Sequence, residues 1–188
     1  HINGKTVKDI MDEDGLISEL QTAKIISAVC NALEILHQKT PPIVHNDINP
    51  SNIMICDDGT VKLFDFDISR LYQKGKNKNT ILFGTEEYAS PEHFGYGQSE
   101  PRTDIYCLGV TMHKMLTDSS LTSEHKITYN GKLKNIITKC LEVDPNRRYT
   151  SVSELKKKLE SFISRKKRIA RVIICVLCIL AVALCGFF

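Results

Sequence analysis

Tryptophan is absent from the 188 residues, so no Trp-lined cage for a sugar or a methylated lysine can be built. Ten Gly and six Pro are too few for a collagen-like or linker-dominated chain. Charge of one sign is also scarce. Lys and Arg total 25 against 22 Asp and Glu, and the net +3 gives no reason to expect a nucleic-acid partner. No internal repeat or low-complexity segment interrupts the sequence, and nothing at its start resembles a secretory leader. The first residue is His1 rather than Met, which reads as a processed terminus or a piece of a longer chain. What remains is 42% hydrophobic and 25% charged, the balance of a folded globular domain and a little more.

Seven cysteines at irregular spacing do not suggest a disulfide framework. Cys30, Cys56, Cys107 and Cys140 stand singly among apolar residues, the pattern of buried free thiols in a reducing compartment. Cys175 and Cys178 form a C-x-x-C inside an apolar run with no His nearby, a poor setting for a metal.

That run, residues 172–188, carries no charged or strongly polar side chain. Counted from Ile169 it is twenty residues long, interrupted only by Arg171, and as a helix would span about 30 Å, the thickness of a bilayer core. Arg165, Lys166, Lys167 and Arg168 precede it, and basic residues beside a span mark the cytoplasmic side. The expectation is a single-pass membrane protein attached by a C-terminal helix, with residues 1–164 as a cytoplasmic domain and residues 165–188 as basic juxtamembrane stretch and span. A buried helix at the domain edge is the alternative.

Before the tail, the patterns are mostly helical. Residues 6–12 predict a short helix closed by Gly15. Ser18 and Gln21 form a capping-box pair ahead of a long helix with Ile26, Val29, Leu33 and Leu36 on one face, ended by Pro41 and Pro42. Residues 53–55 and 61–63 predict a hairpin turning on Asp57, Asp58 and Gly59. Residues 65–92 read as a long, functional loop. Helices are expected over 104–116 and 133–141, and again after Ser151 and Glu154, where Leu155, Leu159 and Phe162 make the buried stripe. The fold class expected is α+β, mainly α.

The chemistry lies between the long helix and the end of the hairpin. His45-Asn46-Asp47-Ile48-Asn49-Pro50-Ser51-Asn52 is followed by Asp65-Phe66-Asp67. A hairpin returning beside this loop can bring Asp47, Asn52 and Asp65 together. Two carboxylates and an amide oxygen are hard donors suited to Mg²⁺. A carboxylate left off the metal can accept a hydroxyl proton, which completes a kit for phosphoryl transfer.

These motifs resemble those of the C-terminal lobe of eukaryotic-type serine/threonine protein kinases, of the kind also found in bacteria. HNDINPSN is similar to the catalytic loop H-R-D-L-K-P-x-N, and Asp65-Phe66-Asp67 to D-F-G. Gly84-Thr85-Glu86-Glu87-Tyr88-Ala89-Ser90-Pro91-Glu92 resembles G-T-x-x-Y-x-A-P-E. The helix from Asp104 to Val110 and the Asp144-Pro145-Asn146-Arg147 stretch continue the likeness in order, over about residues 3–164. The resemblance implies an enzyme using ATP and Mg²⁺ on a protein substrate. It makes Asp47 the base, gives the metal to Asn52 and Asp65, and sets Asn49 at the phosphates. Met54 becomes the floor under the adenine. His45 and Phe66 pack behind the site, Glu92 pairs with Arg147, Asp104 holds the catalytic loop, and Thr85 recognises the hydroxyl.

The departures are specific. Asn46 replaces an Arg that binds an activation-loop phosphate in the family, so control by such a phosphate is not expected. Asn49 replaces a Lys at the γ-phosphate, and losing that cation should cost rate. Asp67 replaces a Gly and its backbone freedom. No Gly-rich loop and no V-A-I-K lysine, the features of the family's N-terminal lobe, occur in the sequence. Without that lobe the chain itself should be a poor catalyst and should expose apolar surface. A membrane-anchored pseudokinase acting as a scaffold is the second reading, and a small-molecule kinase of the antibiotic or choline type is the third.

Overall fold

A computed structural model describes residues 3–72, 86–94, 98–121 and 127–185, without the side chains of Glu86, Lys167 and 170–185. Thr85, the basic stretch containing Lys74, Lys76 and Lys78, and the end of the apolar tail at 186–188 lie outside the described residues.

Strand β1 (Gly4–Thr6) leads into helix α1 (Val7–Asp14) through a full capping box: Asp9 N–H donates to Thr6 Oγ1 and Thr6 N–H to the Asp9 carboxylate. Gly15, at φ 81°, closes the helix where a side chain would be strained. Helix α2 (Glu19–His37) starts at Ser18, whose hydroxyl accepts from Gln21 N–H, and buries Ile26, Val29, Cys30 and Leu33. Strand β2 (Ile43–Val44) follows, then the hairpin of β3 (Ile53–Cys56) and β4 (Val61–Leu63), then β5 (Arg70–Leu71). The sheet order is β1-β3-β4, all antiparallel, with Met54 opposite Thr6 and Lys62; β2 pairs with β5 in a second, two-stranded sheet.

Helix α3 (Pro101–Thr117) is buried almost all round, from Thr103 to His113, which makes it the central post of the core. Short helix α4 (Lys134–Cys140) packs against it at Gly109. Helix α5 (Val152–Cys185) buries Val152, Leu155, Leu159 and Phe162 against the core. It lies antiparallel to α2, since Lys156 pairs with Glu34 at 3.1 Å and Lys166 with Glu19 at 3.3 Å. The expected α+β, mainly helical class is what is observed.

Several details differ from the sequence expectation. Three short strands, β1, β2 and β5, were not expected, and β5 falls inside the stretch read as loop. The backbone of the last helix runs unbroken through the division expected between lobe and tail, to Cys185. Among the described residues, no helix is long and apolar enough to cross a membrane. The side chains of the run at 172–188 lie outside that description.

Cys30, Cys56, Cys107 and Cys140 are free and buried. Burial pushes the Cys30 thiol up to about 12 and those of Cys107 and Cys140 well above the usual range, so these sulfurs are inert packing groups. The exposed apolar surface includes Leu16 and Ile35, which line a groove of about 670 Å³ between α1, α2 and the hairpin, away from Asp47.

Candidate active site

The catalytic loop leaves β2 at His45 and reaches β3 at Ile53. Asn49 shapes its far half: its Oδ1 accepts from Ser51 N–H at 2.9 Å and starts the tight turn Pro50–Asn52. Buried Ile48 is the loop's anchor, and its carbonyl accepts from Thr111 Oγ1 on α3 at 3.0 Å.

Asp104, fully buried on α3, holds the near half. Its Oδ2 accepts from His45 N–H at 3.0 Å, and its Oδ1 from Asn46 N–H at 2.9 Å. His37 Nε2, at the end of α2, lies 2.8 Å from the same Oδ2. One buried carboxylate thereby ties α2, α3 and the loop together, in the manner required of a charge taken out of water.

Asp47 is half-buried, and its carboxylate is oriented by two amides. Asn49 Nδ2 donates to Oδ1 at 3.1 Å, and Asn52 Nδ2 donates to Oδ2 at 3.0 Å and to the Asp47 carbonyl at 2.9 Å. The hairpin returns as expected: Phe64 N–H donates to Asn52 carbonyl oxygen at 3.1 Å, which sets Asp65 one residue from that junction. Asn52 spends its amide nitrogen on Asp47, so its Oδ1 is the atom chemically suited to a cation. Asp65 is exposed and takes φ 64°, a conformation that Asp tolerates. Asp67 does not take a positive φ, so the freedom of the glycine it replaces is not called on here.

Among the described residues no three His, Cys, Asp or Glu side chains gather around one point. One carboxylate and one amide oxygen nevertheless fit Mg²⁺, which keeps several waters and takes its remaining ligands from phosphates.

His45 Nδ1 faces the Asp47 N–H at 3.3 Å and so accepts, while its Nε2–H donates to the Phe64 carbonyl at 3.2 Å. Both contacts require a neutral ring, and burial holds its pKa below the usual histidine value. Phe66 packs on His45, with centroids 4.7 Å apart, but is 46% exposed, so it covers the site from one side and is not enclosed. Met54 is half-buried on β3, in the middle of the three-stranded sheet.

The ion pair expected between Glu92 and Arg147 is not formed. Arg147 is 70% exposed and reaches Glu142 at 3.3 Å. Arg148 takes the buried place: its Nη1 and Nη2 meet the two Glu92 oxygens at 2.6 and 3.0 Å. Its other donors go to the carbonyls of Glu142, Arg102 and Val143, so all five N–H groups are used, and its guanidinium lies 4.9 Å from the Tyr106 ring centroid. The reason is local. Asp144 caps the turn Pro145–Arg147, and the residue that leaves this turn points inward. The signal available was the second Arg of the pair followed by Tyr149, which is buried. Burial alone would raise the Glu92 carboxyl, but the Arg148 fork more than offsets it and holds the pKa below the usual carboxylate value.

A second link was not foreseen. His93 lies on the short turn Pro91–Phe94, and its Nε2 is 3.2 Å from Asn46 Oδ1. Asn46 sits at φ 68°, and its Nδ2 donates to the carbonyls of Val44 and Ile68 at 3.4 and 3.3 Å.

A mainly helical lobe carrying an orienting loop for one carboxylate, with a second carboxylate delivered by a hairpin, is the architecture of a phosphotransferase lobe. The protein kinase domain family matches residues 1–165, and the chain belongs to that family. It is 30% identical over 179 residues to the serine/threonine-protein kinase PknB of Mycolicibacterium smegmatis, which covers 83% of this chain and 28% of that protein. It is 32% identical over 176 residues to the probable serine/threonine-protein kinase CPE1738 of Clostridium perfringens, covering 82% of this chain and 25% of the relative. PknB of Mycobacterium leprae is 28% identical over 178 residues, covering 83% and 28%. The chain thus spans little more than a quarter of the length of these relatives.

Proposed function

We propose that this lobe works in a serine/threonine protein kinase that transfers the γ-phosphoryl group of ATP to a hydroxyl of a protein. The observation that supports this most is the Asp47 carboxylate, oriented on both oxygens by Asn49 and Asn52, with Asp65 one residue beyond the Phe64–Asn52 hydrogen bond. A carboxylate oriented in this way is the kind of group that accepts a substrate hydroxyl proton. Asn52 and Asp65 are the residues that would hold Mg²⁺, which supplies charge neutralisation at the ATP phosphates when bound. Met54 would support the adenine from β3, and Asn49 would face the phosphates as a neutral donor. His45 and Asp104 position the loop; Glu92 with Arg148 secures the end of the segment that would carry the substrate, with Thr85 as its hydroxyl-recognising residue.

The same reading makes the protein membrane-attached. The charge-free run at 172–188 after the basic residues 165–168 supports a single cytoplasm-facing anchor, with the lobe at 1–164 on the cytoplasmic side.

A scaffold without transfer is favoured by one observation, the neutral Asn49 where the family has a cation. The test is nucleotide binding and transfer by the intact protein. Asp65→Asn and Asn52→Ala should each remove most of the Mg²⁺-dependent part of ATP binding and all measurable transfer to Ser or Thr. A wild-type protein whose ATP binding ignores Mg²⁺ and which transfers nothing would establish the scaffold.

A further inference from the structure

Two polar groups at the junction of the catalytic loop and the segment that follows it have no part in the reaction described above. They are the buried side chains of Asn46 and His93, 1% exposed in the case of His93. Their hydrogen atoms can be assigned without ambiguity. Ser90 N–H lies 3.0 Å from His93 Nδ1, and a backbone N–H can only donate, so Nδ1 accepts. The proton of the neutral ring is then on Nε2, which points at Asn46 Oδ1 at 3.2 Å. Asn46 uses its Nδ2 on the Val44 and Ile68 carbonyls, so its Oδ1 is the acceptor the histidine needs. Every donor in this chain of contacts meets an acceptor, and only one protonation state allows it.

The chain joins four parts: the backbone leaving β2, residue 68 after the Asp65 motif, the Asp47 loop and the Pro91–Phe94 turn. Asn46 is also the residue next to Asp47, and its own N–H is fixed by Asp104. We propose that His93 is a positioning residue that latches the Pro91–Phe94 turn to the catalytic loop through Asn46, so that Asp47 is held in place by a ring whose own orienting bond, from Ser90 N–H, is lost when the ring is protonated. The inference rests on the reading of Asp47 as the base.

A proton added at Nδ1 would leave Nε2–H on Asn46 but oppose the Ser90 N–H, donor against donor; with Ser90 Oγ 3.4 Å from Nδ1 as the acceptor beside it, the ring would have to turn and the latch would loosen at its Ser90 end. The charged groups whose fields act on the ring are Glu92 on its own turn, Asp104 on α3, Asp47 on the loop and Arg148 after the Pro145–Arg147 turn. Burial outweighs the three carboxylates and holds the His93 pKa below the ordinary histidine value. The sign follows: a folded pKa below the unfolded one gives stability that is full above about pH 6.5 and fades as pH falls through the folded value.

The test compares His93→Phe and His93→Gln in the intact protein. Phe fills the space with no hydrogen bond. Gln reaches Asn46 with an N–H that does not titrate. His93→Phe should lower kcat roughly tenfold, the effect of one lost buried hydrogen bond, with KM for ATP little changed. Wild type should lose kcat as pH falls through the folded His93 value, which lies below the ordinary histidine range, and His93→Gln should keep most of the neutral-pH rate without that step. Wild-type kcat in the Phe variant, or the same acid loss in the Gln variant, would overturn the latch. Hydrogen exchange at residues 45–47 and 90–94 separates this from the proposed function. With no transfer at any pH but acid-induced exchange in wild type that Gln suppresses, the latch stands and the kinase reading fails. Equal exchange in all three proteins overturns the latch itself.

Discussion

Arg148 shows how much one side chain decides. Its guanidinium is buried, carries a bidentate pair with Glu92 and serves three carbonyls. Arg148→Met should cost about 3–5 kcal/mol of stability by leaving the buried Glu92 without its counter-charge, whereas Arg147→Met should cost well under 1 kcal/mol, as expected at an exposed pair. Urea denaturation of both variants checks this; equal midpoints would reassign the pair. The acid response follows from Glu92, whose folded pKa is depressed. Its contribution is complete above the unfolded carboxylate value and is lost as pH falls through the lower folded one, so wild type should lose stability with acid more steeply than Arg148→Met. The family resemblance implied a buried Glu–Arg pair here, but two adjacent arginines at one turn differ only in the direction the chain takes on leaving it. Asp104 was singled out by the same resemblance, and its buried carboxylate accepts from His45 and Asn46 N–H. His93 was not, because its partner lies 47 positions away and no periodicity links them.

At the scale of elements, stripes of apolar residues marked the helices well. α2 and the packed half of α5 bury the faces their spacing predicts, α3 is buried nearly all round where a helix was expected, and Asp57-Asp58-Gly59 turns the hairpin. The strands β2 and β5 are two residues each, too short for alternation to register, and they form because each offers the other its backbone. α3 and α4 meet without room to spare. A Cβ on Gly109 would lie 2.6 Å from Cys140 Cβ and 3.0 Å from Leu141 Cδ2. Gly109→Ala gains about 1 kcal/mol of helix propensity but forces this contact apart, at about 1–3 kcal/mol. The variant should therefore unfold at lower temperature than wild type. An unchanged or raised Tm would mean that α4 can slide on α3.

For the whole molecule, α5 joins the lobe to the tail. Leu155, Leu159 and Phe162 pack on the core, and the same helix continues through the basic residues without a break. If residues 169–188 anchor the protein, deleting them should move it from the membrane to the soluble fraction while the lobe stays folded; persistence on membranes would refute a tail anchor as the sole attachment. The central claim, though, concerns Asp47, which the lobe surrounds with amides fixed by α3 and the hairpin. The decisive measurement is Asp47→Asn in the intact protein, with phosphate transfer and Mg-ATP affinity read on the same sample. The base assignment predicts transfer reduced by about 10²–10⁴-fold, with Mg-ATP affinity nearly unchanged. Equal transfer by the variant and wild type would contradict it.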